Sequence, residues 1–178
     1  MRTLARTVTT ATSVGGISLL LLGAAFQVAG ARINTSKSIP VGLYWTTRAP
    51  MEKGAYVLVC PPPSGVFEEA RERGYIGAGF CPGGYGYLMK QVAATARDNV
   101  TVTSEGVRVN GERWPQSMPR LADKAGRLLP RFQADGYVLG HAEVLLMSNG
   151  SPTSFDGRYF GPVSRVQLKT AIKPILTW

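Results

Sequence analysis

The segment Tyr87-Leu-Met-Lys-Gln-Val-Ala93 carries the clearest indication of a buried β-strand in the chain. It is apolar on both faces apart from Lys90 and Gln91, as in a strand covered on both sides. A buried ammonium loses its hydration, so an amine there tends to give up its proton. Lys90 is therefore a candidate general base. The alternative is that its side chain reaches out past the edge of the sheet to solvent.

Shorter apolar or alternating runs on both sides of this segment also indicate strands. Between them, residues 32–54 and 115–131 read as irregular, and Ser64 is a candidate cap of a short helix that ends before Gly74. The 21 glycines and 12 prolines are spread along the chain, as is typical of a turn-rich β protein. We therefore predict a mainly β domain. Its further strands are expected at 55–60, 100–103, 106–111, 137–139, 143–147 and 166–172.

The N-terminal segment predicts export of the rest of the chain. Arg2 and Arg6 precede 25 residues without a charge, with four leucines at 19–22. Eighteen apolar residues, 14–31, would span about 27 Å as a helix, close to the hydrocarbon thickness of a bilayer. We expect residues 1–32 to be a membrane-spanning anchor and residues 33–178 to form one exported domain. A cleavable signal peptide ending at Ala29-Gly30-Ala31 is the alternative, and a buried core helix is a third interpretation.

Charge and cysteine content limit the other functions. The net charge of +9 is not gathered into a basic run or a known binding motif, so we expect no nucleic-acid partner. It fits a surface beside anionic lipids, or simply a soluble basic surface. With one histidine, no metal site is expected, and no cofactor is predicted. Cys60 and Cys81 are a candidate disulfide if the domain is exported, and buried thiols if it is not.

Two further polar segments accompany Lys90. The first is Asn34-Thr-Ser-Lys-Ser-Ile-Pro-Val-Gly-Leu-Tyr44, where a proline and a glycine can hold a serine hydroxyl in an exposed turn. The second is Ser151-Pro-Thr-Ser-Phe-Asp-Gly-Arg-Tyr-Phe-Gly161, where Asp156 and Arg158 would share one side of an extended chain. Each is weak evidence alone, since serines and ion pairs are common in loops.

Taken in order, these segments resemble the boxes of the signal peptidase I family. Ser38-Ile-Pro40 is similar to the nucleophile box, although that family usually has two residues between serine and proline. Lys90-Gln-Val and Asp98-Asn-Val100 resemble the lysine box, and Ser154–Val163 resembles the last box. Ser36 is a rival nucleophile, but the Gly-Leu-Tyr44 continuation is similar to the conjugative-transfer branch of the family and favours Ser38.

The resemblance implies a signal-peptidase-like β domain and a serine endopeptidase with a Ser/Lys pair at the periplasmic face of the bacterial inner membrane. It implies a conjugative pilin precursor as substrate, which is cut and, if its own N-terminal amine rather than water resolves the acyl-enzyme, closed head to tail. Pilus assembly proteins are further expected partners. The resemblance assigns catalysis to Ser38, Lys90 and Asp156, and oxyanion or orienting roles to Ser36, Ser154 and Arg158.

Two other interpretations of the same residues stay open. A triad of Ser38, His141 and Asp156 would also be a known catalytic arrangement, since triads occur in several chain orders. That triad would leave Lys90 without a role. The other interpretation is a noncatalytic, membrane-anchored β module of a secretion or pilus assembly complex, which would not need Ser38 and Lys90 to converge.

Overall fold

The computed structural model describes residues 2–63 and 65–178, so the candidate helix cap Ser64 lies outside the described residues. Within these ranges the chain forms a mainly β structure with three α-helices and two antiparallel sheets. The helices are α1 (Arg2–Ala29), α2 (Val66–Glu72) and α3 (Gly157–Phe160). The strands are β1 (Ala31–Asn34), β2 (Gly42–Thr47), β3 (Tyr56–Val59), β4 (Ala78–Cys81), β5 (Leu88–Ala94), β6 (Asn99–Thr103), β7 (Gly106–Val109), β8 (Glu112–Arg113), β9 (Ala134–Val138), β10 (Glu143–Met147), β11 (Val163–Ser164) and β12 (Leu168–Thr177).

The larger sheet has the strand order β1-β2-β12-β3-β5-β10-β11, and the smaller one the order β8-β7-β6-β9. The predicted strand around Lys90 is β5, which pairs with β3 on one side and β10 on the other. Lys90 lies opposite Val57 in this ladder. A central position with two neighbours explains why the segment is apolar on both faces.

Three clusters of buried side chains form the core. Val144 and Leu146 of β10 belong to a cluster with β3, β5 and α2, whereas Leu145 and Met147 pack against β6 and β7. Because successive side chains of a strand point to opposite faces of the sheet, neighbouring residues of β10 belong to two different clusters. The third cluster gathers Ile39 with residues of β2, β3 and β12, and it lies directly beneath the turn that carries Ser38.

The prediction that residues 32–54 are irregular is wrong, because this range contains β1 and β2. The sequence Gly42-Leu-Tyr-Trp-Thr-Thr47 has the aromatic and β-branched residues that strands favour. A Cβ atom at Gly42 would collide with the carbonyl oxygen of Leu176, so this position needs glycine. The last strand is also longer than predicted: β12 continues beyond Ile172 to Thr177 and pairs with both β2 and β3.

Helix α1 ends at Ala29, immediately before β1 begins. The side chains of residues 15–29 are exposed, including those of the four leucines at 19–22. In the part of the chain that is described, no helix combines the length and the apolar character needed to cross a bilayer. The membrane-spanning role assigned to this segment stays a prediction.

Candidate active site

Ser38 lies in a tight turn between β1 and β2, and Asn34 at the end of β1 holds this turn in place. The Asn34 side-chain amide donates hydrogen bonds to the carbonyl oxygens of Ser36, Ile39 and Pro40, at 2.8, 2.9 and 3.0 Å. Its Oδ1 atom accepts from the backbone N–H of Ser36 at 3.1 Å. Asn34 is itself buried, so the turn is built around one fixed side chain.

The hydroxyl of Ser38 points into a cleft and lies beside that of Ser36. The two Oγ atoms are 2.7 Å apart, and Ser36 Oγ also donates to Asn34 Oδ1 at 2.9 Å. Ser38 Oγ is 3.3 Å from the carbonyl oxygen of Met89, the residue before Lys90. The turn therefore brings the candidate nucleophile to the backbone of β5.

Lys90 is buried, as the sequence predicts, with 4% of its surface exposed. Its Nζ donates to Ser154 Oγ at 2.6 Å. The pKa of Lys90 is lowered from 10.5 to about 8, mainly because the amine is buried; the Asp156 carboxylate opposes this shift, and the nearby Arg158 adds to it. A substantial fraction of these amines is thus neutral in mildly alkaline solution, and a neutral amine can accept a proton.

Asp156 and Arg158 form a bidentate ion pair with no exposed surface. Arg158 Nε and Nη2 donate to the two carboxylate oxygens at 2.7 and 2.8 Å. Asp156 Oδ2 also accepts from the backbone N–H of Ser148 at 3.0 Å, and Ser148 Oγ donates to the carbonyl oxygen of Ser38 at 2.6 Å. Asp156, which the sequence places among the catalytic residues, therefore reaches the turn of Ser38 through Ser148, behind the cleft.

One cleft of about 450 Å³ contains the four polar residues predicted to lie at its centre. These are Ser36, Ser38, Lys90 and Ser154. No hydrogen bond joins Ser38 Oγ to Lys90 Nζ, and both residues are fully described. Ser38 Oγ instead contacts Ser36 Oγ and the Met89 carbonyl oxygen, and Lys90 Nζ donates to Ser154 Oγ. Catalytic hydrogen bonds are often long in a free enzyme and tighten when substrate binds. The cleft therefore holds the Ser38 hydroxyl, the buried Lys90 amine and the Ser154 hydroxyl that binds this amine.

Cys60 and Cys81 form a disulfide. It links the end of β3 to β4 in the glycine-rich segment that precedes β5. Ile76, Gly77 and Tyr87, on either side of this hairpin, line the cleft. The disulfide therefore fixes the base of one cleft wall to the central sheet.

His141 does not belong to this site. It is exposed in the turn before β10, whereas Ser148, which contacts Ser38, follows the other end of that strand. Seven residues of extended chain span roughly 20 Å, so the alternative triad of Ser38, His141 and Asp156 is not assembled in this structure. Within the described residues, no group of three or more His, Cys, Asp or Glu side chains is placed to hold a metal ion.

Sequence reasoning missed two residues that hold the site. Asn34 and Ser148 make the contacts that fix the turn of Ser38, but both are small polar residues next to strands. The carbonyl partners of Asn34 lie two to six residues along the chain and depend on the exact shape of the turn, whereas Ser148 meets Ser38 only in the tertiary structure. Alternating polarity could not have shown that Asn34 is buried, because strand β1 is only four residues long.

Comparison with known proteins shows the family of the chain. The sequence profile of the family described as signal peptidase, peptidase S26, matches residues 1–176. A plasmid transfer protein TraF of Escherichia coli is 65% identical over 165 residues, which cover 93% of this chain and 93% of that protein. A conjugal transfer protein TraF of Agrobacterium tumefaciens (strain 15955) is 37% identical over 160 residues, covering 88% of each chain.

A solved signal peptidase I of Enterococcus faecalis V583 aligns with 70% of this chain and 98% of its own, at 12% identity and a TM-score of 0.40. The family profile covers almost all of this sequence, and the TraF relatives are similar along most of their own length. On that evidence, the chain belongs to the peptidase S26 family of signal peptidases and is a relative of the TraF proteins of plasmid transfer.

Proposed function

We propose that this protein is a serine endopeptidase in which Ser38 is the nucleophile and Lys90 the general base. The observation that carries the proposal is the buried amine of Lys90, 4% exposed, in the same cleft as the Ser38 hydroxyl. The lowered pKa, about 8, supplies the neutral form that a base requires. The membership of the S26 family gives the reaction type.

In the proposed reaction, the neutral Lys90 amine removes the proton of Ser38 as Oγ attacks the scissile carbonyl carbon. A rotation of the Ser38 side chain exchanges its contact with the Met89 carbonyl for one with the amine. The resulting ammonium then gives its proton to the leaving amine as the peptide bond breaks. Ser154 positions Lys90 throughout by the 2.6 Å hydrogen bond.

The negative oxygen of the tetrahedral intermediate needs hydrogen-bond donors. The backbone N–H of Ser38 and the hydroxyl of Ser36 are the proposed donors, because Ser36 Oγ lies 2.7 Å from Ser38 Oγ. The Ser36 hydroxyl must then turn from Asn34 Oδ1 towards the intermediate. Loss of one such donor typically costs about 3–4 kcal/mol of transition-state stabilisation.

The acyl-enzyme that remains is resolved by water or by an amine. The proposed substrate is a conjugative pilin precursor, in keeping with the plasmid-transfer relatives. If the attacking amine is the N-terminus of the same pilin, the product is a circular chain, lighter than its linear form by one water. Mass spectrometry of mature pilin from cells that carry this enzyme separates the two outcomes.

Residues 1–32 are proposed to hold the chain at the inner membrane, with the catalytic domain 33–178 on the periplasmic face and near other pilus assembly proteins. The exposed apolar side chains of Leu19, Leu20, Leu21 and Leu22 support this placement, since 55–76% of their surface is accessible. Protease treatment of spheroplasts tests it. Residues 33–178 should be degraded from outside while the membrane is intact, and protection of the domain would contradict the placement.

The test of catalysis is precursor processing in membranes by the full chain. Ser38→Ala and Lys90→Ala should each stop processing, because each removes one partner of the proton transfer. Ser104→Ala and Lys169→Ala are matched controls at exposed positions outside the cleft. Both should process normally, and so should His141→Asn.

Normal processing by either the Ser38 or the Lys90 variant would rule out the endopeptidase mechanism. If both variants still support plasmid transfer with no precursor accumulating, the protein acts as a noncatalytic module of the assembly complex. A loss of activity in His141→Asn equal to that in Ser38→Ala would instead point to the triad.

A further inference from the structure

A second cavity, of about 350 Å³, opens beside the catalytic cleft and is not used by the mechanism above. The two spaces share Tyr75, Thr153 and Phe155 as lining residues. Thr153 and Phe155 are the chain neighbours of Ser154, which binds the Lys90 amine. A peptide lying in the cleft therefore passes the mouth of this side cavity close to the point where its bond would be cut.

Aromatic rings form one wall of the side cavity. Phe155 and Tyr159 stack with centroids 5.9 Å apart, and Tyr75 lies 5.6 Å from Phe155. Such rings offer a rigid apolar surface for a side chain to pack on. Most of the remaining lining comes from residues 120–129, a surface excursion for which the sequence alone predicts no function.

The excursion is folded around Asp123. This carboxylate forms an ion pair with Arg127 and accepts the hydroxyl of Tyr75, and the bridge between Ala122 and Leu128 closes the small loop. Asp123 also accepts from the backbone N–H groups of Ala125 and Arg127. Its charge is thus already neutralised within the wall, and the wall has a fixed shape.

The charge that faces the cavity and the cleft is positive. Asp123 is the one acidic residue among the described residues that line either space. Arg120 and Lys124 line the cavity and Lys37 lines the cleft; all three are exposed. Across the described part of the chain, no carboxylate forms a salt bridge with them. A bound peptide would therefore meet an aromatic surface rimmed by unneutralised cations.

We propose that the side cavity is a substrate subsite that takes an apolar side chain adjacent to a carboxylate, so that the enzyme prefers an acidic segment within a few residues of the scissile bond. This inference rests on the proposed peptidase function. The aromatic wall receives the apolar side chain, while Arg120 and Lys124 attract the neighbouring carboxylate. In this proposal the side cavity selects which peptide binds, and Ser38 and Lys90 in the cleft cleave it.

The probe is a set of fluorogenic peptides with small residues at the scissile bond. Phe-Glu, Phe-Gln or Phe-Lys is placed at successive positions on either side of that bond. At one position wild-type enzyme should show a KM for the Glu peptide about three- to tenfold below that for the Gln peptide, with the Lys peptide weakest. The preference should shrink between low salt and about 1 M salt, where charges are screened beyond roughly 3 Å.

The variant Arg120→Gln/Lys124→Gln should bring the KM values of the Glu and Gln peptides within about twofold of each other. The matched control Lys169→Gln/Lys173→Gln removes the same charge from exposed positions on β12 and should keep the preference. A preference that survives in the Arg120/Lys124 variant, or no preference at any position, overturns the proposal. So does a variant that discriminates normally but loses sedimentation with phosphatidylglycerol vesicles, which would assign these cations to a lipid surface.

Binding separates this inference from the peptidase proposal. Fluorescence polarisation with the full-length Ser38→Ala protein measures the dissociation constants of the Glu and Gln peptides without any cleavage. If wild-type protein cleaves no peptide but the Ser38→Ala protein still binds the Glu peptide several-fold more tightly, the subsite stands and the peptidase mechanism fails. If wild-type protein cleaves the Glu and Gln peptides equally well, the peptidase mechanism stands and the subsite fails.

Discussion

Lys90 is a residue whose protonation state should govern the rate. Its buried amine has a pKa near 8, so the neutral base is the minor form at pH 6 and the major form at pH 9. We expect kcat/KM for peptide cleavage to rise about tenfold per pH unit below this value and to level off above it. Stopped assays from pH 6 to pH 9.5 on the full chain provide the measurement.

The His141→Asn variant is the control for that pH profile. Its profile should superimpose on that of the wild type, because the exposed histidine lies at the far end of β10 from Ser148. A flat profile would contradict a lysine base. An inflection near pH 6–7 that disappears in the variant would show that the histidine titrates in the reaction instead.

The burial of Lys90 should also lower the free energy of unfolding. The pKa of about 8 in the folded chain lies below the ordinary value of 10.5, so the unfolded chain binds more protons between these two values. The free energy of unfolding should therefore rise with pH across that window. At pH 7 the cost is roughly 3 kcal/mol.

Lys90→Met should consequently stabilise the fold while abolishing cleavage. We expect a gain of roughly 1–3 kcal/mol at pH 7, reduced by the hydrogen bond that Ser154 loses. The advantage over wild type should shrink as the pH rises above 8. Denaturant unfolding of both proteins at pH 7 and pH 9.5 measures it, and an equal difference at the two pH values would contradict a buried, titrating amine.

The sequence allowed Lys90 to be identified because a charge inside an apolar strand breaks the pattern of its neighbours. Ser38 and Ser154 needed the resemblance to a family, since a serine in a turn has no pattern of its own. Asn34 and Ser148 were not predicted. The contacts of Asn34 depend on the shape of the turn between β1 and β2, and Ser148 meets the Ser38 carbonyl group only when β10 lies beside that turn.

At the level of elements, the turn between β1 and β2 depends on one amide side chain. Asn34→Ala removes three hydrogen bonds to carbonyl groups of the turn that carries Ser38. A reacting group displaced by about 1 Å can lose a factor of about 100 in rate, so we expect kcat to fall roughly 10- to 100-fold with a smaller change in KM.

The neighbouring Thr35→Ala is the matched control, because Thr35 is exposed and lies in the same segment. It should retain nearly full activity. Circular dichroism and thermal unfolding of both variants check that the fold is intact. If Asn34→Ala cleaves at the wild-type rate, the turn is held by its packing on Ile39 and not by the amide.

Most strands could be predicted from alternation and apolar runs, including β3, β5, β7 and β10. The strands β1 and β2 could not, because Pro40, Gly42 and Pro50 surround them with turn signals. The second half of β12 was missed for a related reason: Pro174 interrupts it, and the strand continues past a register shift between Pro174 and Leu176. Pairing with β2 overrides the local preference there.

For the whole molecule, Arg158 is a junction between separate parts of the chain. Besides its ion pair with Asp156, it donates to the carbonyl oxygens of Gln116 at 2.8 Å and of Pro152 at 3.2 Å. It thereby connects the irregular segment 115–131 to the loop that carries Ser154. Arg158→Leu leaves the Asp156 carboxylate buried without its partner and should cost roughly 3–5 kcal/mol in the free energy of unfolding.

The double variant Asp156→Leu/Arg158→Leu distinguishes charge from packing. Because no unpaired charge remains, it should be more stable than Arg158→Leu alone. Urea unfolding of the single and double variants gives the comparison. A double variant at least as unstable as the sum of the two single changes would show that Arg158 acts through its carbonyl contacts rather than through the ion pair.

The disulfide between Cys60 and Cys81 has a consequence for timing in the cell. Thiols in the bacterial cytosol are kept reduced, whereas the periplasm oxidises them. Under the proposed periplasmic placement, a newly made chain would cross the membrane with both thiols reduced, and the disulfide beside the cleft would form only after translocation. The proposed peptidase would then reach its final structure only where cytosolic proteins are out of its reach.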